Sequence, residues 1–352
     1  MLNLIFTFLS ALAGGAVLFR LRVPGGMLVG AILGAAMFNI ATGNGFIYPQ
    51  TRIVAQALTG AYIGCMMTWE DVRHLPRLLR PYLLVLCSLL ALNLMMAALF
   101  CRITDLDLLT CLFCAAPGGM SDTPLIAMDM GADASTVAVM QFVRMIFGMA
   151  CLPSIIVLSD RVLSPGAGQA PPAGSSRSQP AQRSAVRPTL KGFLPAMCAA
   201  VAAAVLGKLS GIPAGALSAA LIVTAALKLG GKCSGMPMWL RRGAQVISGC
   251  CIGAGITREQ ILQMGKLALP ACALCLGYMV CCIGMGAAVS RLFHIRLREA
   301  MLTLSPAGAT EMALIAADLG VESADLVILQ ISRLVGVTLL FPQLFHLIVT
   351  AV

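Results

Sequence analysis

The chain has 352 residues, 59% of them hydrophobic and 11% charged, with 24 Lys and Arg against 14 Asp and Glu and a formal charge of +10. A soluble domain carries about 25% charged residues, so the balance excludes a soluble fold. Apolar runs of about 20 residues recur along the chain and specify a polytopic helical membrane protein. The positive charge is no argument for nucleic acid, because membrane proteins collect Lys and Arg in their cytoplasmic loops and no soluble segment is long enough for a binding domain.

In chain order, the apolar segments cover about residues 3–19, 24–40, 53–69 and 81–101. The first lacks a positive stretch ahead of it and is followed by Arg20 and Arg22, so it reads as a transmembrane helix rather than a signal peptide. A segment over 108–130 is broken at Pro117-Gly118-Gly119, and a longer span covers 134–158. Residues 164–188, SPGAGQAPPAGSSRSQPAQRSAVRP, are too polar and too rich in Pro, Gly and Ser to build a core. They predict a disordered basic linker over 161–191 between one membrane repeat, 1–160, and a second, 192–352. Most of the 14 cysteines lie in apolar spans, where they act as small hydrophobes. The CxxC pairs Cys111/Cys114 and Cys272/Cys275 lack further ligands nearby in sequence. No metal is expected.

The second half repeats the first at a fixed offset of 189 residues. Pro24 and Gly26 fall on Pro213 and Gly215, and Gln56, Gly60, Gly64 and Thr68 fall on Gln245, Gly249, Gly253 and Thr257. The register runs without a gap through PGGMSDTPLIAMDMGAD (117–133) and PAGATEMALIAADLGVE (306–322) to Gln141 and Arg144, which meet Gln330 and Arg333. The loop charges decide the relative orientation. Arg73, Arg77 and Arg80 mark the loop after the third span of the first half, whereas Lys228, Lys232, Arg241 and Arg242 mark the loop after the second span of the second half. By the positive-inside rule, corresponding loops then lie on opposite faces, and the repeats are inverted. The segment 108–130 must enter and leave on one side, as a re-entrant hairpin tipped by PGGMSD. The predicted fold is all-α: two inverted repeats, each of about five transmembrane helices plus one broken hairpin.

Non-helical backbone at membrane depth is tolerated only where protein buries it or it lines a cavity, and broken helices bind ions and polar substrates in inverted-repeat transporters. The candidate substrate or ion site is therefore Pro117, Gly118, Gly119, Ser121, Asp122, Gln141 and Arg144, with Pro306, Gly308, Thr310, Glu311, Gln330 and Arg333 in the second copy. Asp122 and Glu311, beside the tips, suit a coupling ion or substrate. Arg144 and Arg333 either bind an anionic substrate or balance a carboxylate. Asp129 and Asp318 are structural or coupling carboxylates, the structural form being ion pairs Asp129–Arg144 and Asp318–Arg333. Gly60/Gly64 and Gly249/Gly253 are small-xxx-small pairs for close helix packing. Gln56 and Gln245 either line a cavity or bridge helices.

The tandem PGG…D…A…GAD…Q…R and its second copy PAG…E…A…LG…Q…R resemble the bacterial AbrB-duplication membrane family, whose members carry labels such as ammonia monooxygenase and regulator of gene expression. At a greater distance the arrangement is similar to the inverted-repeat cation/proton antiporters and anion symporters. That likeness implies elevator-type alternating access. The expected function is secondary transport of a small anionic or zwitterionic metabolite coupled to H⁺ or Na⁺. The alternative is a membrane-bound sensor or regulator acting indirectly on gene expression. An enzyme is not expected: three scattered histidines cannot supply a copper or iron site. The expected partners are the lipid bilayer of the bacterial inner membrane, a small-molecule substrate and a second copy of the chain in a homodimer, with no direct nucleic-acid binding, no cofactor beyond a coupling ion and the linker in the cytoplasm.

Overall fold

The computed structural model describes residues 2–21, 23, 25–163, 190–233, 236–258, 267–293, 295–305 and 324–351. Among these the chain is helical throughout, without strands. The first half contains α1 (Leu2–Arg20), α2 (Gly26–Thr42), α3 (Gln50–Met66), α4 (Trp69–Ile103), α5 (Leu108–Ala115), α6 (Thr123–Met130) and α7 (Ala134–Leu163). The second half contains α8 (Leu190–Leu209), α9 (Gly215–Leu229), α10 (Met238–Gly253), α11 (Ala268–Phe293), α12 (Leu297–Leu304) and α13 (Ala324–Ala351). Five of these helices are apolar enough, over a sufficient length, to cross a membrane, and α2, α9 and most of α8 are shorter apolar helices. The helices α5 and α6 have 8 residues each, about 12 Å at 1.5 Å per residue, under half of a bilayer core. They are the two arms of the predicted hairpin. The predicted linker lies outside the described residues except at its edges, where α7 continues to Leu163 and α8 begins at Leu190.

One boundary differs from the sequence reading. The third-to-fourth loop is not a loop: α4 begins at Trp69 and carries the predicted basic stretch as helix. Its start is fixed by a capping box, in which Asp71 Oδ2 accepts from Thr68 N at 2.7 Å and Thr68 Oγ1 accepts from Asp71 N at 3.4 Å. Pro76 and Pro81 lie within α4 without ending it. Similarly, Arg241 and Arg242 belong to the start of α10, as its fourth and fifth residues, rather than to the loop before it.

The packing establishes the inversion independently of charge. A Cβ on Gly60 would lie 2.5 Å from Leu217 O, and one on Gly64 would lie 2.6 Å from Leu221 O, so α3 and α9 touch backbone to backbone and run in the same direction. Gly249 repeats this against Leu28 O at 2.8 Å, and Gly253 against Ile32, so α10 and α2 also run together. Consecutive crossings alternate in direction. A helix parallel to α3 is thus antiparallel to α2, and since α9 is the counterpart of α2, the second repeat is upside down. The loop positions agree: Trp69 Nε1 donates to Leu229 O at 2.6 Å, and Cys65 Sγ lies 3.7 Å from Cys233 Sγ.

These contacts sort the helices into two bodies. The helices α1–α3 interleave with α8–α10, and α4–α7 interleave with α11–α13, while contacts between the groups are sparse among the described residues. Each body combines equivalent pieces of both repeats.

The Cys65–Cys233 proximity gives a test of topology. In a variant retaining only these two cysteines, mild oxidation should join the halves, so that fragments cut in the 164–188 stretch stay together until reduced. Parallel repeats would hold the two thiols on opposite faces, and fragments that separate without reductant would refute the inverted packing.

Candidate functional site

The helix α5 starts at Asp107, whose Oδ2 accepts from Thr110 N at 2.9 Å, and it stops at Ala115, just before Pro117 and the two glycines. A helix end leaves its last carbonyls without intrahelical partners, and at membrane depth protein must supply them. Asn93 of α4 donates Nδ2 to Leu112 O at 2.8 Å. Gln141 of α7 donates Nε2 to both Phe113 O and Ala116 O at 3.1 Å. The Tyr278 hydroxyl of α11 donates to Ala115 O at 3.1 Å. Arg144 donates Nη1 to Ala116 O and to Tyr278 Oη, and Nη2 to Gly118 O at 2.6 Å. All four side chains are buried. Gln141 and Arg144 are three residues apart and share a helix face, so one helix supplies an amide and a cation to the negative end of α5.

The sequence reading of Arg144 offered an anionic substrate or a carboxylate. The guanidinium is held by backbone carbonyls and a tyrosine. The second repeat has the same device: Arg333 Nη1 donates to Thr303 O at 2.8 Å and to Ser305 O, the counterparts of Cys114 and Ala116. The expected Asp129–Arg144 ion pair is absent, because Asp129 sits at the far end of α6 from the break. Asp129 is instead paired with Lys208 of α8, which joins the two bodies. Pro306, Gly308, Thr310, Glu311 and Asp318 lie outside the described residues. Gln330 is buried in α13, one turn before Arg333.

The other arm begins at Asp122, which is 4% exposed and caps nothing with its side chain. Its Oδ2 accepts from Thr338 Oγ1 of α13 at 3.5 Å. Space around it depends on the glycines. A Cβ on Gly119 would run into the Asp122 carboxylate, and one on Gly118 would run into the Thr123 hydroxyl.

Next to the tip is a cavity of about 100 Å³. One wall belongs to the hairpin body and holds Gly118, Gly119, Ser121, Asp122, Gln141 and Arg144, so six predicted residues of the first copy meet at one place. Pro117 is buried immediately before them. The other wall belongs to the second body and holds Thr59 and Tyr62 of α3 and Arg241 and Gln245 of α10. Gln56 and Gln245, equivalent in sequence, take different roles: Gln56 donates Nε2 to Leu125 O of α6 at 3.3 Å, bridging the bodies, while Gln245 lines the cavity. Gly25, Met66 and Arg241, from the ends of α2, α3 and α10, also line it, so it approaches the face that carries the basic helix ends.

Sequence reasoning missed Asn93, Tyr278, Thr338, Thr59, Tyr62 and the cavity role of Arg241. Arg241 had a signal, a Gln four residues on in a helix facing the duplicated motif, but its charge was read as a loop marker.

Comparison with known proteins adds a relationship. The profile of a family described as "Transition state regulatory protein AbrB" matches residues 1–160 and again residues 155–349. A protein of Escherichia coli (strain K12) named "Putative regulator AbrB" is 26% identical over 336 residues, 94% of this chain and 91% of the relative. A Bacillus subtilis (strain 168) protein named "Uncharacterized protein YhjN" is 26% identical over 254 residues, 70% of this chain and 65% of the relative.

Replacing Arg144 by Leu should orphan the Gly118 carbonyl, leave Ala116 O with Gln141 alone, and lower unfolding stability by about 1–3 kcal/mol, the cost of one unsatisfied buried group. Arg144→Lys, which keeps charge but loses the fork, should fall between. Thermal or denaturant unfolding in detergent checks this, and a leucine variant as stable as the parent would rule out the capping role.

Proposed function

This chain belongs to the AbrB family, and on that footing we propose that it is a secondary active transporter moving a small anionic or zwitterionic metabolite by elevator-type alternating access, coupled to H⁺ or Na⁺. One observation carries the reading: a cavity that gathers charged and polar side chains at a helix break and is walled by two bodies with sparse mutual contacts among the described residues. A site shared between two bodies is exposed to one side or the other as they slide, without a continuous pore. The hairpin body would carry the ligand and the α1–α3/α8–α10 body would stay fixed, its backbone-to-backbone glycine contacts resisting internal movement.

Asp122 is the candidate for coupling. A buried carboxylate at the tip can gain or lose a proton, or hold a cation, only when the cavity gives access, which ties ion occupancy to conformation. In this reading the protein sits in the bacterial inner membrane with its basic helix ends and the 161–191 linker in the cytoplasm, following the positive-inside rule. The cavity then opens inward. A second copy of the chain would dock through the fixed body, and no cofactor is required beyond the coupling ion.

The name of the Escherichia coli relative favours a second reading, a membrane-bound sensor or regulator acting indirectly on gene expression. The two differ in what they need from the linker. Deleting residues 164–188 should leave gradient-driven uptake intact if transport is the function. Loss of a regulatory output with no measurable transport in the parent protein would favour the sensor.

Proteoliposomes test the main reading. A pH or sodium gradient should drive accumulation of a substrate drawn from a metabolite library by thermal stabilisation. Asp122→Asn should lower gradient-driven uptake by about tenfold or more, as expected for a functional intramembrane carboxylate. Unchanged uptake in that variant would remove Asp122 from the coupling site.

A further inference from the structure

The cavity contains two guanidinium groups, from Arg144 and Arg241, and they are held differently. Both Nη atoms of Arg144 are occupied by Ala116 O, Gly118 O and Tyr278 Oη. Its Nε is buried and makes no hydrogen bond, so Arg144 contributes positive field to the cavity but no exposed fork. Arg241 stands on the opposite wall with its guanidinium carbon 4.4 Å from the centre of the Tyr62 ring. Among the described residues no carboxylate pairs with it. Its Nη1 also donates to Met238 Sδ at 4.0 Å, a weak acceptor; stacking on an aromatic face fixes the plane of the fork and leaves the other edge N–H groups for a planar acceptor. Gln245 lies one turn further along the same helix and Ser121 lies across the cavity, so an amide and a hydroxyl are available beside the fork.

We propose that Arg241 is the substrate-binding arginine, that it takes a carboxylate edge-on, and that the substrate is a small monocarboxylate of about three to five carbons. This deepens the transport reading of the same cavity and rests on it. The charge sets the valence. Among the described lining residues, Arg144 and Arg241 against an ionised Asp122 leave one unit of positive charge. Uncompensated charge away from water is costly, so a monoanion neutralises the site, a dianion overshoots it and a zwitterion leaves it positive. Volume sets the size. A cavity of about 100 Å³, at roughly 30 Å³ for each water's share of liquid volume, holds about three waters, the bulk of a short organic acid. The placement of the fork adds a conformational consequence. Arg241 belongs to the fixed body and Ser121 to the hairpin, so the carboxylate bridges the two, and ligand binding favours the state in which the walls are close.

The full-length protein in detergent can be titrated at constant pH and ionic strength with propionate, lactate, pyruvate and 2-oxoisovalerate, and with alanine, succinate and inorganic phosphate as contrasts. At least one monocarboxylate should bind and raise Tm. Its Kd should weaken about 10- to 100-fold in Arg241→Gln, the range for losing hydrogen bonds to a charged group. Arg241→Lys, which keeps the charge and guards against a folding defect, should recover part of the affinity. Arg242→Gln removes an equal charge one residue away, from a side chain stacked on Phe19 at 4.4 Å, and should bind like the parent. Binding confined to succinate, phosphate or alanine overturns the proposal, as does the absence of binding by every acid or equal affinity in Arg241→Gln. Binding with the expected pattern but no gradient-driven uptake would sink transport and leave this assignment standing.

Discussion

A helix that stops halfway through a bilayer leaves carbonyl oxygens where neither water nor lipid can satisfy them, and the centre of this protein is built around that constraint. The end of α5 receives donors from three other helices: Asn93 from α4, Gln141 and Arg144 from α7, and Tyr278 from α11. The break is thereby fixed in place by elements that converge on it from both repeats. A cation at this point also opposes the negative end of the short helix, which lowers the cost of burying a guanidinium without a carboxylate. With α5 capped in this way, the polar groups of the tip that remain open to the cavity are those of Ser121 and Asp122 and the glycine backbone between.

The two bodies follow from a different kind of contact. Glycines on α3 and α10 admit helices α9 and α2 to backbone distance, and this close packing holds α1–α3 and α8–α10 together. The join between this body and the hairpin body combines apolar patches, Leu28, Ile32 and Ile252 against Ala134 and Ala138 and Ala55 and Cys251 against Leu125, with polar links: Gln56 to Leu125 O, Trp69 to Leu229 O, Gln343 Nε2 to Pro213 O at 2.6 Å, and the Lys208–Asp129 ion pair. Interdigitated apolar surfaces resist sliding because every side chain must leave its hole, and among the described residues these patches are much smaller than the core of the hairpin body.

Much of this was legible from the sequence because duplication makes a comparison possible within one chain. The offset of 189 residues exposed the break at Pro117-Gly118-Gly119, and the contrast between Arg73, Arg77 and Arg80 in one half and Lys228, Lys232, Arg241 and Arg242 in the other gave the inversion. The same comparison hid what is not duplicated. Tyr278 corresponds to Leu89, and Asn93 corresponds to Cys282, so neither stood out as a repeated polar position. Lys208 corresponds to Phe19, which is why the partner of Asp129 could not be inferred from symmetry. Pairing Asp129 with Arg144 failed on helix geometry, since the aspartate lies at the outer end of α6 and the arginine reaches the inner end of α5. The role of Arg241 was illegible for another reason. A basic residue at a helix end signals orientation, and only the packing of α10 against α3 reveals that it also reaches Tyr62 and the cavity.

The reciprocal glycine contacts carry a consequence for how such a chain can arise and be assembled. Gly60 meets Leu217 just as Gly249 meets Leu28, so each repeat completes its partner through the same surface, used twice. A half-length chain with that surface would find no complement in a copy inserted the same way up. It would need a neighbour inserted in the opposite sense, and so a population of both orientations in equal amounts. Joining the halves in one polypeptide removes that requirement, provided the first half crosses the membrane an odd number of times. The hairpin satisfies this parity: by returning to the side it entered, it leaves five crossings and delivers the second repeat to the membrane already inverted.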